Sequence, residues 1–81
     1  MEVIHQAEHE RFVVQVGEFE ALLEYHLLPR QGVVNFHHTF VPPQIRGRGI
    51  AEKLVRTGLA WARTQQLKIE ASCSYVRKFL R

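Results

Sequence analysis

A loop rich in glycine and arginine carries the residue types that bind phosphate. It reads Arg46-Gly47-Arg48-Gly49-Ile50-Ala51. Glycines let the backbone turn tightly and approach a ligand closely, and the first amides of a following helix lack intrahelical partners, so they point at an anion. Arg46 and Arg48 would add charge-assisted contacts. The loop predicts a phosphate cradle, although a plain basic loop or an RNA-binding segment has the same composition.

The setting of the loop favours the phosphate cradle. The loop follows a segment rich in β-branched and aromatic residues, 33–41, which ends at Pro42-Pro43, and it precedes a helical pattern. Nucleotide-phosphate sites use such a strand, loop and helix in succession, whereas disordered Arg-Gly repeats carry no attached helix. The loop matches neither the dinucleotide pattern nor the Walker pattern.

The only thiol, Cys73, follows the last predicted strand and lies where a short helix is predicted to begin. An isolated cysteine is often just a small buried hydrophobe. The N-terminal dipole of a helix, however, lowers the pKa of a thiol and makes it a better nucleophile or base. A single cysteine forms no internal disulfide, which fits a reducing compartment, and we expect the protein to be cytoplasmic.

Histidines are the candidates for acid–base chemistry. His5 and His9 are four residues apart, but they do not lie on a predicted helix, and only one cysteine could join the histidines, so no metal site is expected. Two are adjacent on the predicted strand, and we expect them to face opposite sides of the sheet, so that at most one serves a given site. The histidines are His5, His9, His26, His37 and His38.

The N-terminal half is predicted to form an antiparallel meander. Residues 3–7 and 11–16 read as two short strands separated by a polar turn. The segment Phe19 to Leu27 suits either a helix or a strand by periodicity. Its Glu, Ala and Leu content favours a helix, but its short length and flanking turns favour a strand.

The C-terminal half reads as a βαβα unit. From Gly49 to about Gln65 apolar residues recur at spacings of three and four, which indicates an amphipathic helix in which Gly58 permits a close approach to the sheet. Residues 67–71 alternate like a strand, and Tyr75 to Leu80 reads as a short helix. Because a parallel pair joined by a helix crosses over in the right-handed sense, strand 67–71 should lie beside strand 33–41.

These motifs resemble the GNAT superfamily of N-acetyltransferases. Arg46-x-x-Gly49-x-Ala51 resembles its acetyl-CoA signature, (Gln or Arg)-x-x-Gly-x-(Gly or Ala), and Val41 with Pro43 stands where the superfamily carries Val-x-Pro. The resemblance is closer to minimal single-domain GNAT-like proteins and covers essentially the whole chain. The segments that carry it are His38-Thr39-x-Val41-Pro42, Gly47-x-Gly49-Ile50-Ala51 and Ser72-Cys73-Ser74-Tyr75-Val76.

The resemblance implies an α+β, GNAT-like fold in one domain, 1–81. An N-terminal antiparallel β-meander would be followed by a βαβα unit with splayed parallel strands. Members of the small branch tend to carry Gly where this chain has Gln66; if Gln66 takes the left-handed conformation usual for a terminating glycine, it would cost about 1 kcal/mol. They also tend to have a few residues beyond the position of Arg81, so a truncated or naturally short C-terminus is expected.

The resemblance also implies acetyl-CoA as cosubstrate and an unidentified amine as acceptor. Cys73 is the leading catalytic candidate, with His38 as the base that deprotonates the amine and Tyr75 as the proton donor to the leaving thiolate. Cys73 could instead be structural or contact the cofactor, and Tyr75 could stack on the pantetheine or simply pack. The pyrophosphate would lie on Arg46, Gly47, Arg48, Gly49, Ile50 and Ala51, and the pantetheine would bind backbone near Phe40 and Val41.

Two mechanisms are open, direct attack by the amine with His38 as base, or transfer through an acetyl-thioester on Cys73. The rival functional class is a CoA-binding regulatory or interaction module without turnover. We expect a monomer or a weak homodimer.

Charge alone does not select among these classes. The net charge is +3, but the 11 Lys and Arg residues are scattered among acidic ones, so nucleic-acid binding is less favoured. The phosphates of CoA would attract the same charge. There is no apolar run of the length that spans a membrane, and no membrane partner is expected.

Overall fold

The structure, a computed structural model, describes residues 1–80 and consists of one five-stranded sheet with a long helix against one face. Short 3-10 turns lie at Ala7–His9 and Pro43–Ile45. No helix in this described range is long and apolar enough to cross a membrane. The elements are β1 (Val3–Gln6), β2 (Arg11–Val16), β3 (Phe19–Leu28), β4 (Val33–Phe40), α1 (Ile50–Thr64), β5 (Lys68–Ala71) and α2 (Ser74–Arg77).

The sheet has the order β1-β2-β3-β4-β5, with the first four strands antiparallel and β5 parallel to β4. This confirms the predicted meander and the pairing of the last strand with β4. The ambiguous segment at Phe19 is a strand because it pairs on both sides, with β2 and with β4, and this tertiary pairing outweighs its helix propensity.

Helix α1 packs its apolar stripe on one face of the sheet. Gly58 lies at the closest approach, since a Cβ there would be 2.9 Å from Cδ2 of Leu23 and 3.0 Å from Cε1 of Phe36. The prediction that Gly58 permits close packing is therefore confirmed. We call the face of the sheet away from α1 the outer face.

The C-terminus of α1 ends in a Schellman motif. The amide of Gln66 donates to the carbonyl of Arg63 at 3.0 Å, and that of Leu67 donates to Ala62 at 3.0 Å. Gln66 has φ of 58°, so it does take the left-handed conformation of a terminating glycine. A residue with a Cβ in this conformation costs about 1 kcal/mol or more relative to glycine.

The predicted helix 75–80 is shorter than expected. The helix α2 is one turn, and the chain then continues with i to i−3 hydrogen bonds, from the amide of Phe79 to Val76 and from Leu80 to Arg77. The buried Val76 holds this turn against the core on the α1 side of the sheet.

A β-bulge in β4 changes which way its side chains face. Glu24 pairs with His38 while the next residue, Tyr25, pairs with Phe36, so His37 is the extra residue. His37 stacks on His26, with ring centroids 4.4 Å apart, and His26 lies on the same face as Glu24. Both adjacent histidines therefore lie on the outer face, and the expectation that they face opposite sides is wrong.

Candidate functional site

The loop between β4 and α1 has the backbone of an anion site. Gly47 and Gly49 have φ of 82° and 74°, in the left-handed region that glycine adopts without strain. Gly49 is the N-cap of α1, and the first helical hydrogen bond runs from the amide of Lys53 to its carbonyl. The amides of Ile50 and Ala51 therefore have no acceptor within the helix. A Cβ on either glycine would meet no protein atom within 4 Å, so the space beside the loop is open.

A groove leads from this loop to the end of β4. It consists of two adjoining cavities of about 220 and 310 Å³, which share Val41, Arg46, Ala51 and Tyr75. The first cavity also contacts Gly47, Gly49 and Ile50, and the second also contacts Thr39 and Phe40. Of the residues predicted to bind cofactor, all but Arg48 line this groove.

Arg46 fixes the loop to the strand. Its Nε donates to the carbonyl of Val41 at 2.8 Å. The terminal amino groups of the guanidinium remain as donors, and the side chain lines both cavities. Arg46 can therefore both hold the end of β4 and contact an anion, whereas Arg48 is exposed and lines neither cavity.

The parallel strands β4 and β5 part after Phe36. Their register ends at Phe36 with Ala71, and one further hydrogen bond joins the amide of Cys73 to the carbonyl of Phe36 at 3.2 Å. The strand β4 continues to Phe40 without a β5 partner. Backbone groups on this edge are free to bind an extended ligand lying between the strands.

Cys73 lies at the start of this gap and is half-buried. Its Sγ is 3.5 Å from Oγ1 of Thr39, which can donate to a thiolate. Burial raises the pKa of Cys73, but the Thr39 hydroxyl and the nearby backbone amides of Val76, Tyr75 and Thr39 together outweigh burial, so the pKa lies below its usual value. The Cys73 side chain makes no cap hydrogen bond to α2, so the α2 amides act on it as nearby dipoles.

Tyr75 lines both cavities of the groove. Burial raises its pKa, the carboxylate of Glu52 raises it further, and Arg56 partly opposes the change. Its hydroxyl therefore stays protonated at neutral pH and can give a proton to a leaving thiolate. The ring also packs edge-on against Phe79, with centroids 5.3 Å apart.

His38 lies on the other side of the sheet from Cys73. Its cross-strand partner is Glu24 on the outer face, whereas Thr39 pairs with the buried Leu23 and contacts Cys73 on the α1 side. His38 can therefore serve only a substrate that approaches from the outer face. The structure brings together Cys73, Tyr75 and Thr39. Thr39 was not predicted as a site residue, because the bulge that turns its side chain to the α1 side has no local sequence signature.

No group of three or more His, Cys, Asp or Glu side chains within residues 1–80 is placed to hold a metal ion.

Comparisons with known proteins agree with this geometry. Residues 11–81 match the family model described as GCN5-related N-acetyl-transferase. The chain is 31% identical over 81 residues to human protein NATD1 and 30% identical over 83 residues to chicken protein NATD1, spanning 71% and 74% of their lengths and 98% and 100% of this chain.

A solved structure has the same fold. It is the solution NMR structure of a GCN5-like candidate N-acetyltransferase from Staphylococcus aureus, with a TM-score of 0.72, 28% identity, and coverage of 98% of this chain and 76% of that one. The sequence of this chain thus matches one family over most of its length. The same chain has the left-handed glycine loop, the groove beside it and the parting of the parallel strands. The protein belongs to the family of GCN5-related N-acetyltransferases.

Proposed function

We propose that the protein transfers the acetyl group of acetyl-CoA to a primary amine. The observation that carries the proposal is the continuity of the groove, which runs from the free amides at the start of α1 to Tyr75 and Thr39, beside the thiol of Cys73. A pyrophosphate on the amides would direct the pantetheine arm toward the gap between β4 and β5.

The groups along the groove suit the steps of acyl transfer. Unpaired backbone at the end of β4, near Val41, would polarise the thioester carbonyl as charge develops on its oxygen. Tyr75 would protonate the departing thiolate of CoA, since its hydroxyl holds its proton at neutral pH and its side chain lines the groove.

Two routes to the amine remain proposals. In the first, the amine approaches from the outer face, His38 removes its proton, and its nitrogen bonds to the acetyl carbon as the bond to the CoA sulfur breaks. In the second, the Cys73 thiolate displaces CoA and the amine then attacks the acetyl-cysteine. The lowered pKa of Cys73 supports the second route, and the open outer face at His38 supports the first.

Intact mass spectrometry separates the two routes. For the acyl-enzyme route we expect acetyl-CoA alone to add one acetyl mass that hydroxylamine removes and that is absent in Cys73→Ala. For the direct route we expect no adduct, with activity retained in Cys73→Ala and lost in His38→Ala. If CoA stabilises the protein against heat but no amine is acetylated, the proposed transfer is wrong and a binding module without turnover is the better description.

A further inference from the structure

One apolar row crosses the outer face of the sheet. Ile4 pairs with Val13, Val13 with Leu22, and Leu22 with Phe40, so four side chains on four neighbouring strands lie side by side. The end residues Ile4 and Phe40 are 46% and 42% exposed, which is unusual for large apolar side chains. The row begins at Phe40, which also lines the groove, and leads away from it.

A polar pair lies next to this row. Glu24 and His38 are cross-strand partners on the outer face, two residues along β3 and β4 from Leu22 and Phe40, or about 7 Å along the strands. Within residues 1–80 the carboxylate of Glu24 has no ion-pair partner. A carboxylate and an imidazole thus stand together where β4 has no β5 partner.

The acceptor must reach the gap from the outer face. On the α1 side, Cys73, Thr39 and Tyr75 line the gap, and α2 is held there by the buried Val76. On the outer face no helix covers β4 in the part of the chain that the structure describes. A ligand entering from there meets Glu24 and His38 beside the gap and the apolar row next to them.

We propose that this surface is the acceptor subsite and that it selects a primary amine carried on an apolar body. The ammonium would lie at Glu24, and the apolar body would lie on Phe40 and Leu22, beside Val13, which is only 5% exposed. This assignment rests on the proposed function for its reaction. His38 takes the proton of the amine, the new bond joins nitrogen to the acetyl carbon as the bond to sulfur breaks, and the departing thiolate takes a proton from Tyr75.

The same surface disfavours a polyamine. A second ammonium would have to avoid the apolar row, where its desolvation is costly, and would lie either in water or beside Arg11, the other cross-strand partner of Glu24, so its chain would bury less of the row. Burial of an alkyl or aryl chain on the row instead raises its affinity, by about fourfold for each buried methylene.

Two amines of equal length provide a matched test. Hexylamine and 5-aminopentan-1-ol carry the same ammonium but end in a methyl and a hydroxyl group. We expect kcat/KM for release of the CoA thiol to be about tenfold higher with hexylamine, since a buried methyl gains where a hydroxyl is penalised. Equal values for the two amines would overturn the subsite while leaving acetyl transfer intact.

A variant of the row locates the effect. Leu22→Thr keeps a residue that favours strands and should lower kcat/KM for hexylamine about tenfold, with little change for 5-aminopentan-1-ol. Gln15→Thr, on the outer face but off the row, is the control and should change neither. An equal loss for both amines in Leu22→Thr would contradict the assignment.

Binding can also be read without turnover. With the parent protein saturated with CoA, hexylamine should shift the backbone amide NMR signals of Leu22 and Phe40, and 5-aminopentan-1-ol should do so only at higher concentration. Absence of these shifts at millimolar hexylamine would overturn the subsite. Shifts on the row without any thiol release would instead support the subsite and refute the proposed transfer.

Discussion

The hydroxyl of Thr39 lies 3.5 Å from the Sγ of Cys73. The β-bulge at His37, two residues earlier in β4, places Thr39 for this contact. Because His37 is inserted as an extra residue, Thr39 turns to the α1 side while His38 stays on the outer face. The candidate nucleophile and the candidate base are therefore on opposite sides of the sheet, with the gap between β4 and β5 beside them.

Thr39→Val should make Cys73 less reactive near neutral pH. The valine has nearly the same shape but no hydroxyl, so the thiolate loses a hydrogen bond that lowers the pKa of Cys73, and that pKa should rise. The rate of alkylation by iodoacetamide, measured against pH, should move to higher pH. Ser74→Ala, which removes a neighbouring exposed hydroxyl, is the control. An unchanged profile in Thr39→Val would show that the contact does not influence the thiol.

Arg46→Ala should weaken CoA binding more than Arg48→Ala. Arg46 lines the groove and anchors Val41, so its loss should cost about 1 to 3 kcal/mol, whereas Arg48 lies outside both cavities. Calorimetric titration with CoA and with dephospho-CoA measures both effects. Equal losses with the two ligands would assign Arg46 to the pyrophosphate. A larger loss in Arg48→Ala than in Arg46→Ala would contradict the geometry of the loop.

The loop and the topology could be predicted from the sequence, but the bulge could not. Glycine spacing and a 3.6-residue period are local signals, so the phosphate loop and α1 could be predicted from the sequence. The facing of His37 and His38 depends on the register between β3 and β4, which two-residue alternation alone does not reveal. The strand at Phe19 was ambiguous for the same reason, because its neighbours rather than its own residues decide its state.

Gln66→Gly should stabilise the protein by about 1 kcal/mol, since glycine adopts the left-handed conformation without the steric cost of a Cβ. In a domain of this size the change corresponds to about 4 to 8 °C in Tm. Urea unfolding compares it with Gln65→Gly, at a neighbouring position with φ of −86°, which should not stabilise. Equal effects at the two positions would refute the explanation.

Stability should fall on acidification, partly through His5. The ring of His5 stacks on Phe12 with centroids 4.0 Å apart, and its Nε2 lies 2.8 Å from the hydroxyl of Tyr25. Burial lowers the pKa of His5 below 6.5, with Glu8 opposing the change. The unfolded chain therefore takes up the proton first, so stability present above pH 6.5 is lost as pH falls toward the lowered pKa.

The variant His5→Gln should flatten this loss relative to the parent, whatever its effect on absolute stability. His9→Gln, at an exposed position, is the control and should leave the slope unchanged. Urea unfolding at pH 7.5, 6.5 and 5.5 gives the slope of the unfolding free energy against pH for the parent and for each variant. The same slope in the parent and in His5→Gln would show that His5 does not contribute to the loss.

Acetyl transfer through the groove is tested most directly by mass spectrometry of the amine product. The protein, acetyl-CoA and hexylamine are incubated together, and both N-acetylhexylamine and free CoA are measured. We expect the two products to form in equal amounts, and to be lost in Gly49→Val, whose side chain strains the loop and fills the open space beside it. Tight binding of acetyl-CoA by the parent without acetylated product, or full activity in a folded Gly49→Val, would contradict the account.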